Sequence, residues 1–249
     1  MNADQPESRI RLTLVRSKMD WARIKKKFTR FVLALCGAPR SEDPIGHYRR
    51  GTTENDAVAL FISGKRYDTG DGVKHDPVEA AKCYRRAAVL GYAPAQFVLG
   101  VCYDTGEGVE KDIAEAIKWW RKAAAQGHAL AQFNLGICYE NGDGVEVCPP
   151  EAVKCYRSAA ALGIPEAQFN LAMCYYRGFG VKSDSCEAVS WFRKAAEQGF
   201  SSAQYNLGVC YDEGDGVERN LTEAIKWWRK AAAQGDAQAK AELERSGQP

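Results

Sequence analysis

The chain has 249 residues, 45% of them apolar and 27% charged, an ordinary balance for a globular protein with enough chain to bury a core. Its net charge of +2 is uneven: up to Asp56 there are 12 Lys/Arg against 7 Asp/Glu, leaving 22 against 25 beyond. A mildly acidic body argues against nucleic acid as its partner, and no run approaches the roughly 18 apolar residues of a membrane span.

Residues 1–56 form a basic arm that does not repeat. Within it, 17–36 reads as an amphipathic helix, with Ser17 as cap and Gly37 as stop. Trp21, Ile24, Phe28, Phe31, Val32 and Leu35 form its apolar stripe, and Arg23, Lys25, Lys26, Lys27 and Arg30 its flank. Three readings stay open for this helix. It caps the first repeat, it is a basic element for a membrane surface or mitochondrial targeting, or it is an uncleaved signal anchor, for which "FVLALCGA" is short. Residues 41–56 read as linker.

From residue 57 the sequence repeats every 36 residues. "AQFVLGVCYDTGEGVE" starts at Ala95, and related runs start at Ala131, Ala167 and Ala203, with a worn copy at Ala59. The second half of each unit also recurs, as in "AIKWWRKAAAQG" ending at Gly127 and at Gly235. The expected repeats are 57–92, 93–128, 129–164, 165–200 and 201–236, with 237–249 a degenerate capping helix.

Each unit reads as two antiparallel helices. In the third, Ala131, Leu135, Cys138 and Tyr139 share one helix face, and Gly142 and Gly144 break the helix. The second helix opens on Asp76, Asp112, Asp184 or Asn220, each followed three residues on by glutamate. The third unit instead carries Cys148 before Pro149. Two short helices cannot hide their apolar faces alone, so the units must stack. The expected fold is all-α: a right-handed α-solenoid of two-helix repeats, preceded by the basic amphipathic helix.

The ordered run of Ala, Leu-Gly, Tyr, Gly-x-Gly-Val, capping Asp, Trp/Tyr, Ala-Ala and Gly resembles the Sel-one-like repeat family, relatives of the tetratricopeptide-repeat proteins. The resemblance covers roughly residues 57–243. It implies an adaptor or scaffold that assembles protein complexes, with no single partner specified. Some secreted members of the family tie their helix pairs with disulfides. Here Cys138 and Cys148, and Cys174 and Cys186, are the only similar spacings, and the second and fifth units lack a second cysteine.

The residues that invite a catalytic reading have structural ones. Cys102, Cys138, Cys174 and Cys210 recur in phase, which suits packing better than a nucleophile. The nine cysteines include no CxxC pair and no secretory signal opens the chain, so a reducing compartment is expected: the cytoplasm, or alternatively the mitochondrion. His47, His75 and His128 show no spacing that puts two metal ligands on one helix face, and the Gly-x-Gly turns lack the lysine of a phosphate loop. No enzyme activity, metal, cofactor or nucleic acid is therefore expected. A cysteine-dependent hydrolase and an RNA-binding helical repeat are the alternatives.

Two surface patterns remain. Lys82, Lys118, Lys154 and Lys226, with Arg85, Arg121, Arg157, Arg193 and Arg229, form a cationic ladder along the second helices. It reads as a solvated face balanced by the glutamates, or else as a dock for an acidic partner. On the first helices, Asn134, Asn170 and Asn206 are expected to line the concave side and grip a peptide backbone, or else to bond between repeats. The full expected face is Val98, Val101 and Thr105; Asn134, Ile137 and Asn141; Asn170, Met173 and Arg177; and Asn206, Val209 and Glu213. Its outermost members, Thr105, Asn141, Arg177 and Glu213, vary and would tune the choice of a protein or peptide partner.

Overall fold

The computed structural model describes residues 54–247, so the readings of the amphipathic helix, of Cys36 and of most of the linker lie outside it. The described residues form eleven helices and no strand: α1 (Glu54–Thr69), α2 (Pro77–Val89), α3 (Ala93–Thr105), α4 (Ile113–Ala125), α5 (Ala129–Asn141), α6 (Pro149–Ala161), α7 (Pro165–Arg177), α8 (Ser185–Glu197), α9 (Ser201–Glu213), α10 (Leu221–Ala233) and α11 (Ala237–Arg245). The fold is an all-α solenoid of helix pairs. Its described residues fall into two compact units, 54–147 and 148–247. In the first, α1 packs on α2, α2 on α3, α3 on α4 and α4 on α5. In the second, the same chain of neighbours runs from α6 to α11.

The second helices start where the sequence expects. Asp76 accepts from the amides of Val78 and Glu79, Asp112 from Glu115, Asp184 from Glu187 and Asn220 from Glu223. Cys148 makes no such bond, and Pro149 in the first turn removes an amide that would need one. First helices end differently. Gly142 closes α5 with φ of 81° while its amide reaches the Cys138 carbonyl, a left-handed cap that a side chain would strain.

In three of the turns the second glycine has another duty, which is close approach to the backbone of the preceding repeat. A Cβ on Gly108 would stand 2.0 Å from the Pro77 carbonyl oxygen of the preceding repeat. In the second unit Gly180 meets the Pro149 oxygen at 2.4 Å and Gly216 the Ser185 oxygen at 2.2 Å. The turn thus lies directly on the start of the preceding repeat's second helix.

Glutamines join neighbouring repeats through buried amides. Gln96 Nε2 donates to the Ala88 carbonyl of the repeat before, and Gln126 Nε2 donates to Gln96 Oε1 at 2.8 Å. Gln168 with Ala160 and Gln198, and Gln204 with Ala196 and Gln234, repeat the arrangement. Gln132 donates to the Ala124 carbonyl, but its Oε1 is buried and unbonded; thirty positions on, the sequence has Leu162 in place of glutamine. In the first repeat both register positions are leucine, Leu60 and Leu90.

Aromatic side chains fill the space between helices, with Trp120, Trp228, Tyr84, Tyr156 and Phe192 fully buried. Trp120 Nε1 donates to the Phe97 carbonyl and Trp228 Nε1 to that of Tyr205, so neither buried indole leaves an unmet donor. No described helix is long and apolar enough to cross a membrane.

Candidate partner-binding surface

The first helices carry the expected face, and the structure divides it sharply. Thr105, Asn141, Arg177 and Glu213, one at the end of each first helix, are exposed. Val98, Val101, Ile137, Met173 and Val209 are buried, and so are Asn134 at 1%, Asn170 at 0% and Asn206 at 0% exposure. The expectation that the asparagines stand open to a partner is corrected on this point. The helices that carry Asn170 and Asn206 each pack against the second helices of both their own and the preceding repeat, α7 against α8 and α6 and α9 against α10 and α8, as α3 does with α4 and α2. Eight successive residues of α3, Ala95 to Cys102, are consequently buried, which leaves that stretch of helix no open side.

The asparagines are not equivalent. Asn206 Nδ2 lies 3.7 Å from Met173 Sδ of the preceding repeat, a contact between repeats. Asn134 Oδ1 is buried and accepts no hydrogen bond, a costly state for an amide oxygen. At the rim, Thr105 Oγ1 donates to the Val101 carbonyl at 2.9 Å, and Asn141 Nδ2 donates to Asp143 Oδ2 at 3.4 Å. Thr105 and Asn141 belong to the first unit, Arg177 and Glu213 to the second.

The cationic ladder resolves into two sets of contacts. Lys82, Lys118, Lys154 and Lys226 each pair with the glutamate three residues earlier, on open surface where such pairs contribute little. Four of the five arginines cross to the next repeat. Arg85 donates to the Tyr103 hydroxyl at 2.5 Å, Arg121 to Tyr139 at 3.1 Å, Arg157 to Tyr175 at 3.1 Å and Arg193 to Tyr211 at 2.8 Å. A second cationic series, not singled out from the sequence, covers indole faces. Lys122 lies 4.0 Å from the Trp119 ring centre, Lys194 3.7 Å from Trp191 and Lys230 3.9 Å from Trp227. Constant offsets of 18 residues for Arg–Tyr and 3 for Trp–Lys were the available sequence signal for both.

Cys102, Cys138, Cys174 and Cys210 are buried and form no disulfide. Burial pushes the Cys210 thiol far above its ordinary range, reinforced by Asp215 and Glu213, and burial also raises Cys83. A nucleophile needs the thiolate, which these surroundings oppose.

Stacked helix pairs joined by side-chain and backbone contacts at a fixed period define a helical-repeat protein. Residues 57–92, 93–128, 129–164, 165–200 and 201–236 match the Sel1 repeat, and the chain belongs to that family. It is similar to a Sel1 repeat protein from Oxalobacter formigenes, at 34% identity and a TM-score of 0.73, over 84% of each chain. It is also similar to a protective antigen of uropathogenic Escherichia coli displaying an SLR fold, at 41% identity and a TM-score of 0.74. That match covers 77% of this chain but only 42% of the antigen's length. The comparison with curated proteins found no match. Sel1 repeat proteins are generally protein-interaction scaffolds and typically non-catalytic.

Proposed function

We propose that the chain is an adaptor that binds protein or peptide segments on the first-helix face of its repeats and so assembles a complex. The observation that carries this reading is the contrast within that face. Thr105, Asn141, Arg177 and Glu213 are exposed and differ in charge and shape at one register position, over a buried floor that hardly varies. Recognition wants a rigid support with variable projecting groups, and this arrangement supplies both. Val98, Val101, Asn134, Ile137, Asn170, Met173, Asn206 and Val209 act in this reading as the floor that fixes the projecting groups. The cytoplasm suits a chain whose described cysteines form no disulfide. Neither the hydrolase nor the RNA reading gains a supporting observation.

The test is affinity capture with the full chain beside an Arg177→Glu, Glu213→Arg double variant, with retained proteins identified by mass spectrometry. Because both side chains are exposed, the variant should melt with the wild type while losing its specific partners. A variant that retains every wild-type partner would place the binding surface elsewhere.

A further inference from the structure

The loops of the first two repeats hold a mixed donor set. Asp68 lies in the last turn of α1, His75 in the loop before α2, and Glu107 in the turn after α3. One ligand atom from each lies within 4.8 Å of the other two. The loop is held in shape by its own backbone, with the Gly70 amide on the Arg66 carbonyl and the Asp76 amide on the Tyr67 carbonyl.

Asp68 is only 8% exposed, and the buried Tyr84 hydroxyl donates to its Oδ2 at 3.4 Å. That hydrogen bond orients the carboxylate. His75 is exposed and Glu107 half-buried.

The other repeats supply internal controls. In the register of His75 stand Lys111, Val147, Ser183 and Arg219. In the last repeat, Arg219 lies 3.9 Å from Asp212, the counterpart of Asp68, and also donates to the Asp212 carbonyl. In the first repeat the Lys65 charge also bears on Asp68, and His75 and Glu107 add an imidazole and a second carboxylate.

We propose that Asp68, His75 and Glu107 bind a divalent transition-metal ion of the zinc type, which ties the first repeat to the second. One imidazole nitrogen and two carboxylate oxygens are ligands that such ions accept, and the imidazole disfavours magnesium and calcium. With bonds of about 2.1 Å, tetrahedral ligand atoms sit roughly 3.4 Å apart, so rotation of His75 and Glu107 must close a spread of at most 4.8 Å by up to about 1.4 Å. The fourth position stays open to water or to a donor from a partner. Spacing along the sequence could not show this set, because its three ligands come from two repeats and share no helix face.

The full-length chain, stripped with chelator, is titrated with cobalt(II) chloride and separately with zinc chloride, beside His75→Arg and Glu107→Gln. The wild type should bind one cobalt ion with absorption bands of nitrogen and oxygen ligation, and zinc should raise its melting temperature. Each variant should lose at least about tenfold in affinity while its metal-free melting stays near the wild type. His75→Arg reproduces the residue of the last repeat, and Glu107→Gln decides the matter if that variant does not fold. The proposal is overturned if wild-type binding is not saturable at one ion. It is equally overturned by unchanged affinity in the variants, or by a thiolate-to-cobalt charge-transfer spectrum, which would assign the ion to cysteines.

Discussion

Gly100 and Trp120 are fitted so closely that a methyl group on the glycine would stand 2.4 Å from the indole Nε1. Gly208 and Trp228 have the same separation, while Gly64 meets the Tyr84 ring at 2.7 Å. In the fourth repeat the aromatic in this register is the smaller Phe192, and the helix facing it carries Ala172 in place of glycine. The Leu-Gly pair of the repeat is therefore a response to the size of the aromatic twenty residues on.

Gly100→Ala should accordingly destabilise the chain by about 1–3 kcal/mol, the usual cost of overpacking a filled core. Adding Trp120→Phe should recover part of that loss, because it copies the pairing of the fourth repeat. Urea unfolding of the two single variants and the double variant measures the coupling. Strict additivity would show that the pair is not matched.

The Arg193–Tyr211 bond makes a second test. Tyr211→Phe removes the hydroxyl that accepts from Arg193 at 2.8 Å and leaves the ring, which the guanidinium also overlies at 5.9 Å. Loss of about 0.5–1 kcal/mol is expected, since the bond is charge-assisted but partly solvated. A double-mutant cycle with Arg193→Ala should show positive coupling.

His128 makes stability depend on pH. Its Nδ1 accepts from the Ala131 amide at the start of α5, and its ring stacks on Phe97 at 4.6 Å. Burial lowers its pKa from 6.5 to about 4, so the folded chain holds it neutral. The unfolded chain takes up the proton below its own pKa. Stability is therefore full above about pH 6.5 and falls as pH drops toward 4, by at most roughly 3 kcal/mol. Tyr92 and Phe200 occupy this register in other repeats. His128→Phe should flatten the dependence in melts run from pH 7 to 4.5; an unchanged slope would assign it to other groups.

Thiol labelling separates the cysteines by burial. Cys186 is exposed, whereas Cys102, Cys138, Cys174 and Cys210 are buried. Alkylation followed by peptide mass spectrometry should modify Cys186 rapidly. The four in-phase thiols should react only as fast as the chain opens, and uniformly rapid labelling would contradict their packing role.

The period, the caps and the glycine turns were legible because each depends on local chemistry that recurs in the text of the sequence. Asp112 caps with its own side chain and Gly142 turns with its own backbone, whatever lies elsewhere. The state of Asn134 was not legible. One position before a core leucine reads as an outward face on an isolated helix, but neighbours cover that face in a stack, and burial belongs to the stack. The Arg–Tyr bonds were hidden for a similar reason: a cation series along one helix looks solvated until the hydroxyls of the next repeat are set beside it.

The contact of Gly108 with the Pro77 carbonyl has a wider consequence. It joins one repeat to the next through main-chain atoms alone, so it is blind to which side chains either repeat carries. Successive repeats can diverge at Thr105, Asn141, Arg177 and Glu213 without renegotiating that seam.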